Sequence, residues 1–185
     1  MSVPATHSVK TPPRHSAGSR AAAQIDQEKP ASPSIRMRDW ERRKLTEAEI
    51  RIGQSMFADE IDWSRVRIAQ APAVIFSAMV PFGDTIWFGR WRAPRDFSQT
   101  FNTEQAWFIH ELAHVWQARR GKVLAVSKLS ALHKHHYHVE LRPGAGLDAY
   151  NIEAQGEVAR FLYLARCGEK TRIPLEELEK LWASR

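Results

Sequence analysis

Residues 102–120 combine two properties that seldom occur together: an apolar surface nearly all round, and two histidines and a glutamate in the middle of it. Trp107, Phe108, Ile109, Leu112, Ala113, Val115 and Trp116 fall on every face of a helical period, so this helix belongs at the centre of a fold. Its ends are marked. Asn102-Thr103 offers a cap, Glu104 sits in the first turn, Arg119 and Arg120 close the last, and Gly121 follows. A central helix has to be covered on several sides, and the rest of the chain is constrained to do so.

The polar residues on that helix form an HExxH, His110-Glu111-Leu112-Ala113-His114. Burying such groups without partners costs on the order of several kcal/mol, whereas a metal ion satisfies them. Residues i and i+4 stand one above the other on a helix, so both imidazoles reach one tetrahedral zinc. Glu111, one step round, is placed to contact a zinc-activated water and act as general base.

A zinc with an open coordination position needs a third protein ligand. Tyr150-Asn151-Ile152-Glu153-Ala154-Gln155-Gly156-Glu157 opens another helix, and Glu153 and Glu157 share one face of it at i and i+4. One of these carboxylates can bind metal while the other orients a ligand histidine. A rival source is the run His133-Lys134-His135-His136-Tyr137-His138. Read as a strand it puts His136 and His138 on one face and His133 and His135 on the other, with His138 the outside candidate; read as a loop it is an exposed basic segment.

The elements that cover the central helix follow from local signals. Thr46-Glu47-Ala48-Glu49 is a capping box, and a helix runs from it to about residue 60 with Ile50, Phe57 and Ile61 on or near one face. Three short β-rich runs follow, Val66 to Ala69, Val74 to Met79 and Thr85 to Phe88, punctuated by Pro72 and Pro81-Phe82-Gly83-Asp84. A last helix starts at Pro174, with Glu176 and Glu177 near its positive end and Leu175, Leu178 and Leu181 inward. The expected fold is α+β, a small antiparallel sheet packed on the HExxH helix and on a second, Glu-bearing helix.

A length of 185 residues with 43% hydrophobic content suits one domain plus a tail and excludes a wholly disordered chain. Residues 1–37 read as a disordered tail, holding five of the ten prolines among Ser, Ala, Thr and Gln, and residues 38–185 as the folded domain. Cys167 stands alone, so neither an intramolecular disulfide nor a Cys-rich zinc cage is available. No apolar stretch resembles a secretory signal or a membrane span, which makes the cytoplasm the default expectation. The net charge of +6 allows attraction to nucleic acid, with Arg90, Arg92, Arg95, Arg119 and Arg120 as the residues such binding would use.

Together, Asp96-Phe97-Ser98, Phe108 through Gln117 and Tyr150 through Glu157 resemble bacterial Vgr-related (Rhs-element-associated) zinc metallopeptidases, which carry an HELTHVWQ-type motif and a downstream YNxExQ motif. Leu45-Thr46 through Val66 also looks like their N-terminal segment, so the resemblance covers about residues 45–167. It implies a minimal zincin of the gluzincin type. Carried over by motif position, His110, His114 and Glu153 become the zinc ligands, Glu111 the general base and Glu157 the partner of a ligand histidine. Ala113 replaces the usual Thr, and the later acid is Glu rather than Asp. The implied activity is hydrolysis of a peptide bond in a peptide or protein substrate. By analogy with gluzincins, Thr85-Ile86-Trp87-Phe88 would be an edge strand that receives the substrate as a further strand. The alternative is a zinc-stabilised, non-catalytic adaptor or delivery module associated with Vgr/Rhs-type secretion components. On either reading the resemblance implies a Vgr/Rhs-type partner and export by a contractile secretion system as the departure from the cytoplasmic default.

Overall fold

A computed structural model describes residues 35–72, 79–89, 92–121, 139–142 and 144–185, with 79–82 as backbone. The chain runs β1 (Arg42–Lys44), α1 (Glu47–Phe57), β2 (Arg67–Gln70), β3 (Met79–Phe82), β4 (Thr85–Phe88), a 3-10 turn (Phe97–Gln99), α2 (Asn102–Arg119), a second 3-10 turn (Leu147–Ala149), α3 (Ile152–Arg166) and α4 (Leu175–Ala183). The architecture is α+β, as the sequence implies.

The capping box forms as read: Thr46 Oγ1 accepts the Glu49 N–H at 3.1 Å, and Glu49 Oε2 accepts the Thr46 N–H at 2.8 Å. Glu49 does more than cap. It is fully buried, receives both terminal nitrogens of Arg43 at 2.6 and 2.7 Å, and accepts the Phe97 N–H at 2.8 Å. One carboxylate thereby ties α1 to β1 and to the turn that leads into α2. Met37, placed in the tail on composition, is also fully buried, and Arg36 bridges to Pro94.

The sheet order is β1-β2-β4-β3, and the sheet is mixed rather than antiparallel: β1–β2 and β3–β4 are antiparallel, but β2 and β4 run parallel. The Gly83-Asp84 turn, with Gly83 at φ +60°, reverses the chain between β3 and β4 and leaves β3 outermost. Pro81 lies within β3 rather than punctuating it, which an edge strand tolerates because a missing N–H breaks no inner ladder. Ile68 sits opposite Ile86 in the parallel pair, both fully buried. Residues 85–88 are an inner strand flanked on both sides, and the edges of the sheet are β1 and β3. Residues 74–78 lie outside the described residues.

The central helix is as enclosed as its composition demands: residues 105, 106 and 108–117 are all buried, and only Trp107 breaks the run, at 41% exposure. Its cap differs from expectation. Phe101 is the N-cap and contributes no side-chain bond, while Asn102 is already helical and reaches Glu169 Oε1 at 3.1 Å. Helix α3 packs along α2, with Asn151 accepting the Ala154 N–H at 2.8 Å as its cap. Helix α4 closes the other side of α3. It buries Leu178, Leu181 and Trp182, but Leu175 is 42% exposed because it occupies the first turn, before the apolar stripe turns inward. Trp182 meets Phe57 edge-on, ring centroids 5.5 Å apart, and lies 5.9 Å from Trp116, joining α4 to α1 and α2.

Candidate metal centre

The two long helices face each other where their polar residues lie. His110 and His114 come from the middle of α2, and Glu153 from the first turn of α3, all at 4% exposure or less. Glu153 Oε2 is 3.3 Å from His110 Nε2 and 3.4 Å from His114 Nε2, and one ligand atom from each of the three residues lies within 4.8 Å of the others. Ligands held at about 2.0–2.1 Å in a tetrahedron sit about 3.3 Å apart, so the two measured spacings suit a zinc-sized ion. The donor set, two imidazole nitrogens and one carboxylate oxygen, is also one that zinc accepts. This buried cluster could hold a metal ion.

The histidines are kept in place from behind. His110 Nδ1 is 3.2 Å from Glu157 Oε1, and Glu157 is gripped by Arg160 in a two-pronged pair at 2.8 and 2.9 Å. The Arg160 guanidinium lies 4.8 Å from both the Trp107 and Phe161 ring centroids. On the other histidine, His114 Nδ1 is 2.8 Å from Gln117 Oε1. Gly156 explains how the helices come this close. A Cβ at that position would lie 2.8 Å from His110 Cε1 and 3.0 Å from both ring nitrogens.

Electrostatics follow from this enclosure. Burial opposes a charge on His110, but Glu153, Glu157 and Glu111 outweigh it and lift the imidazole to about 9 without metal. Burial likewise works against the Glu153 and Glu157 charges, yet the facing histidines, and Arg160 for Glu157, hold both carboxyls below their usual range. Glu111 is 4% exposed, and its Oε2 has no hydrogen-bond partner among the described residues. A buried carboxylate oxygen with no protein donor is what a group facing a water or substrate would show.

Of the residues singled out in sequence, His110, Glu111, His114, Glu153 and Glu157 meet in one place. His133, His135, His136 and His138 lie outside the described residues, as do Tyr137 and Arg90. The Tyr150 hydroxyl accepts the Arg142 N–H at 2.9 Å. Four of the arginines considered for nucleic acid face carboxylates: Arg92 with Asp39 at 3.2 Å, Arg95 with Glu41 at 2.8 Å, Arg119 with Asp84 at 3.1 Å and Arg120 with Glu60 at 3.8 Å. Sequence reasoning overlooked Gln117, Gly156 and Arg160. The available signal was spacing: Gln117 is three residues past His114, Gly156 three past Glu153, and Arg160 three past Glu157.

No family model matches the chain. Over 134 residues it is 36% identical to the type VI secretion system spike protein VgrG2b of Pseudomonas aeruginosa, an alignment covering 67% of this chain and 13% of that protein. The solved effector domain of Pseudomonas aeruginosa VgrG2b superposes with a TM-score of 0.63 at 29% identity, covering 77% of this chain and 82% of that one. The chain is homologous to that effector domain. The chain thus spans 13% of the length of the spike protein and 82% of the solved effector domain. Among the described residues no helix is long and apolar enough to cross a membrane.

Proposed function

We propose that the domain is a zinc-dependent metallopeptidase that acts as a Vgr-associated effector, with His110, His114 and Glu153 as metal ligands and Glu111 as general base. The observation that carries this reading is the buried His110–His114–Glu153 cluster at ligand spacing, with Glu111 Oε2 buried and without a hydrogen-bond partner among the described residues on one of the same helices. The likeness to the VgrG2b effector domain supports the effector role. Zinc, when bound, supplies Lewis acidity that polarises the scissile carbonyl and makes water more acidic.

The chain's own residues do the rest. Glu111, nearly fully buried, takes the proton from the attacking water and returns it to the leaving amine. His110 and His114 present one ring nitrogen each to the ion because Glu157 and Gln117 engage the other. Glu153 neutralises part of the ion's charge. Phe108, Ile109, Leu112 and Ala113, all fully buried, keep bulk water from the back of the site.

Elemental mass spectrometry on untagged protein tests the site: wild type should carry about one zinc per chain, and Glu153→Ala should lose it. Glu111→Gln should keep zinc and fold yet abolish cleavage of a fluorogenic peptide library. Absence of zinc from chelator-free wild type overturns the metal reading. A Glu111→Gln variant with every biological output intact overturns the peptidase reading in favour of a zinc-stabilised adaptor on a secretion spike.

A further inference from the structure

We propose that Gln117 is a positioning residue that sets the ring tautomer of His114 and locks that ligand to the helix turn bearing Glu153. The inference rests on the metal-site reading and goes beyond it, because it concerns how two ligands from different helices are held in one orientation. The observation is a directed chain of buried hydrogen bonds. Gln155 Nε2 donates to the backbone carbonyls of Tyr150 at 2.8 Å and Leu147 at 3.2 Å. Carbonyls only accept, so this end of the Gln155 amide is its NH2 and the oxygen faces Gln117. Gln117 Nε2 then donates to Gln155 Oε1 and to the Ile152 carbonyl, each at 2.9 Å. With both of its N–H groups used, Gln117 turns Oε1 to His114 Nδ1 at 2.8 Å. An amide oxygen only accepts. His114 Nδ1 therefore carries the hydrogen, and Nε2, the atom 3.4 Å from Glu153 Oε2, is the nitrogen that would meet a metal.

The direction is enforced by burial. Gln117 is 0% exposed, Gln155 1% and His114 1%, so water does not repair a reversed amide. Flipping either glutamine sets oxygen against oxygen at a backbone carbonyl. The same chain grips the 3-10 turn Leu147–Ala149 and the Ile152 carbonyl, on either side of the Asn151 cap, and so fixes the start of α3 and with it Glu153. Gln117 thus relates the two ligands geometrically while touching only one of them. Glu157 does the corresponding service for His110 as a charged partner, whereas the His114 side is neutral throughout.

The test uses the full chain with 15N-labelled histidine. Long-range proton–nitrogen spectra report the His114 tautomer in metal-free and zinc-loaded protein, chelator competition reports zinc affinity, and thermal melting of metal-free protein reports the fold. The expected results are an Nδ1–H tautomer in wild type even without metal, and zinc affinity lowered by about 10–100-fold in Gln117→Met, which keeps the bulk but not the acceptor. Gln117→Glu keeps an acceptor at Nδ1 but sets a second oxygen against the Ile152 carbonyl and Gln155 Oε1, so it should retain the tautomer while lowering the melting temperature of the metal-free protein. Should Gln117→Met not fold, Gln155→Met cuts the chain one step further back and should loosen zinc while leaving the acceptor on His114. An Nε2–H tautomer in metal-free wild type, or unchanged zinc affinity in a folded Gln117→Met, overturns the proposal. Failure of wild type to bind zinc sinks the metal-site reading instead, and the metal-free tautomer still decides the role of Gln117.

Discussion

Replacing Gly156 with alanine separates the stability of this fold from the integrity of the proposed metal site. The added methyl would lie 2.8 Å from His110 Cε1, about 0.6 Å inside the 3.4 Å at which ordinary contact begins. The ring has no free direction in which to yield, because Glu153 stands 3.3 Å from one nitrogen and Glu157 3.2 Å from the other. A metal site tolerates ligand displacements of about 0.2 Å, so a shift of several tenths of an ångström should lower zinc affinity by at least about tenfold. Stability should respond quite differently. Alanine in a helix interior gains about 1 kcal/mol over glycine, which offsets much of an overpacking cost of about 1–3 kcal/mol. The metal-free variant should accordingly melt within a few degrees of wild type, with its zinc-induced stabilisation greatly reduced. Melting curves with excess chelator and with excess zinc, together with chelator competition, make the comparison. If Gly156→Ala binds zinc as tightly as wild type, the close approach of α3 to His110 does not position the ligand, and the reasoning fails.

Other perturbations follow from the same geometry. The metal-free His110 value of about 9 lies above the ordinary 6.5, so its proton stabilises the metal-free fold fully below 6.5, and that contribution is lost as pH rises through about 9. Zinc must displace this proton, so zinc affinity should rise about tenfold per pH unit over that window, and an affinity independent of pH there contradicts the arrangement. Glu49→Ala strands the mostly buried Arg43 and leaves the Phe97 N–H without its acceptor, and should cost about 3–5 kcal/mol in urea denaturation with zinc stoichiometry kept if the protein still folds. Arg160→Met removes the two-pronged support of Glu157 and should raise that carboxyl's pKa, weakening zinc more than it lowers the melting temperature.

Much of the buried histidine–glutamate cluster was legible because its spacing is local. His110 and His114 are one helical turn apart, and Glu153 and Glu157 are likewise, so helix periodicity alone puts each pair on one face. The capping box at Thr46 and the cap at Asn151 are also contacts within a single turn, and both form as their residue types imply. The burial of α2 followed from its lack of a polar face. All these features depend on interactions that span four residues or fewer.

What the sequence could not disclose depends on segments far apart in the chain. The parallel pairing of β2 with β4 buries Ile68 and Ile86 side by side, and no turn signal says on which side of β2 the hairpin lands. The second task of Glu49, holding Arg43 and the Phe97 N–H, was hidden behind its first, because a capping box explains the residue without any tertiary contact. Gly156 has no role visible within its own helix, and its function appears only in the ring of His110, 46 positions earlier, packed against it. Gln117 and Gln155 looked like ordinary polar residues until burial removed water and left each amide one orientation. Sequence determined which side chains share a turn, since backbone geometry alone does that. Tertiary structure decided which of those turns face one another, because only packing across distant segments can exclude water and make a single arrangement of donors and acceptors favourable.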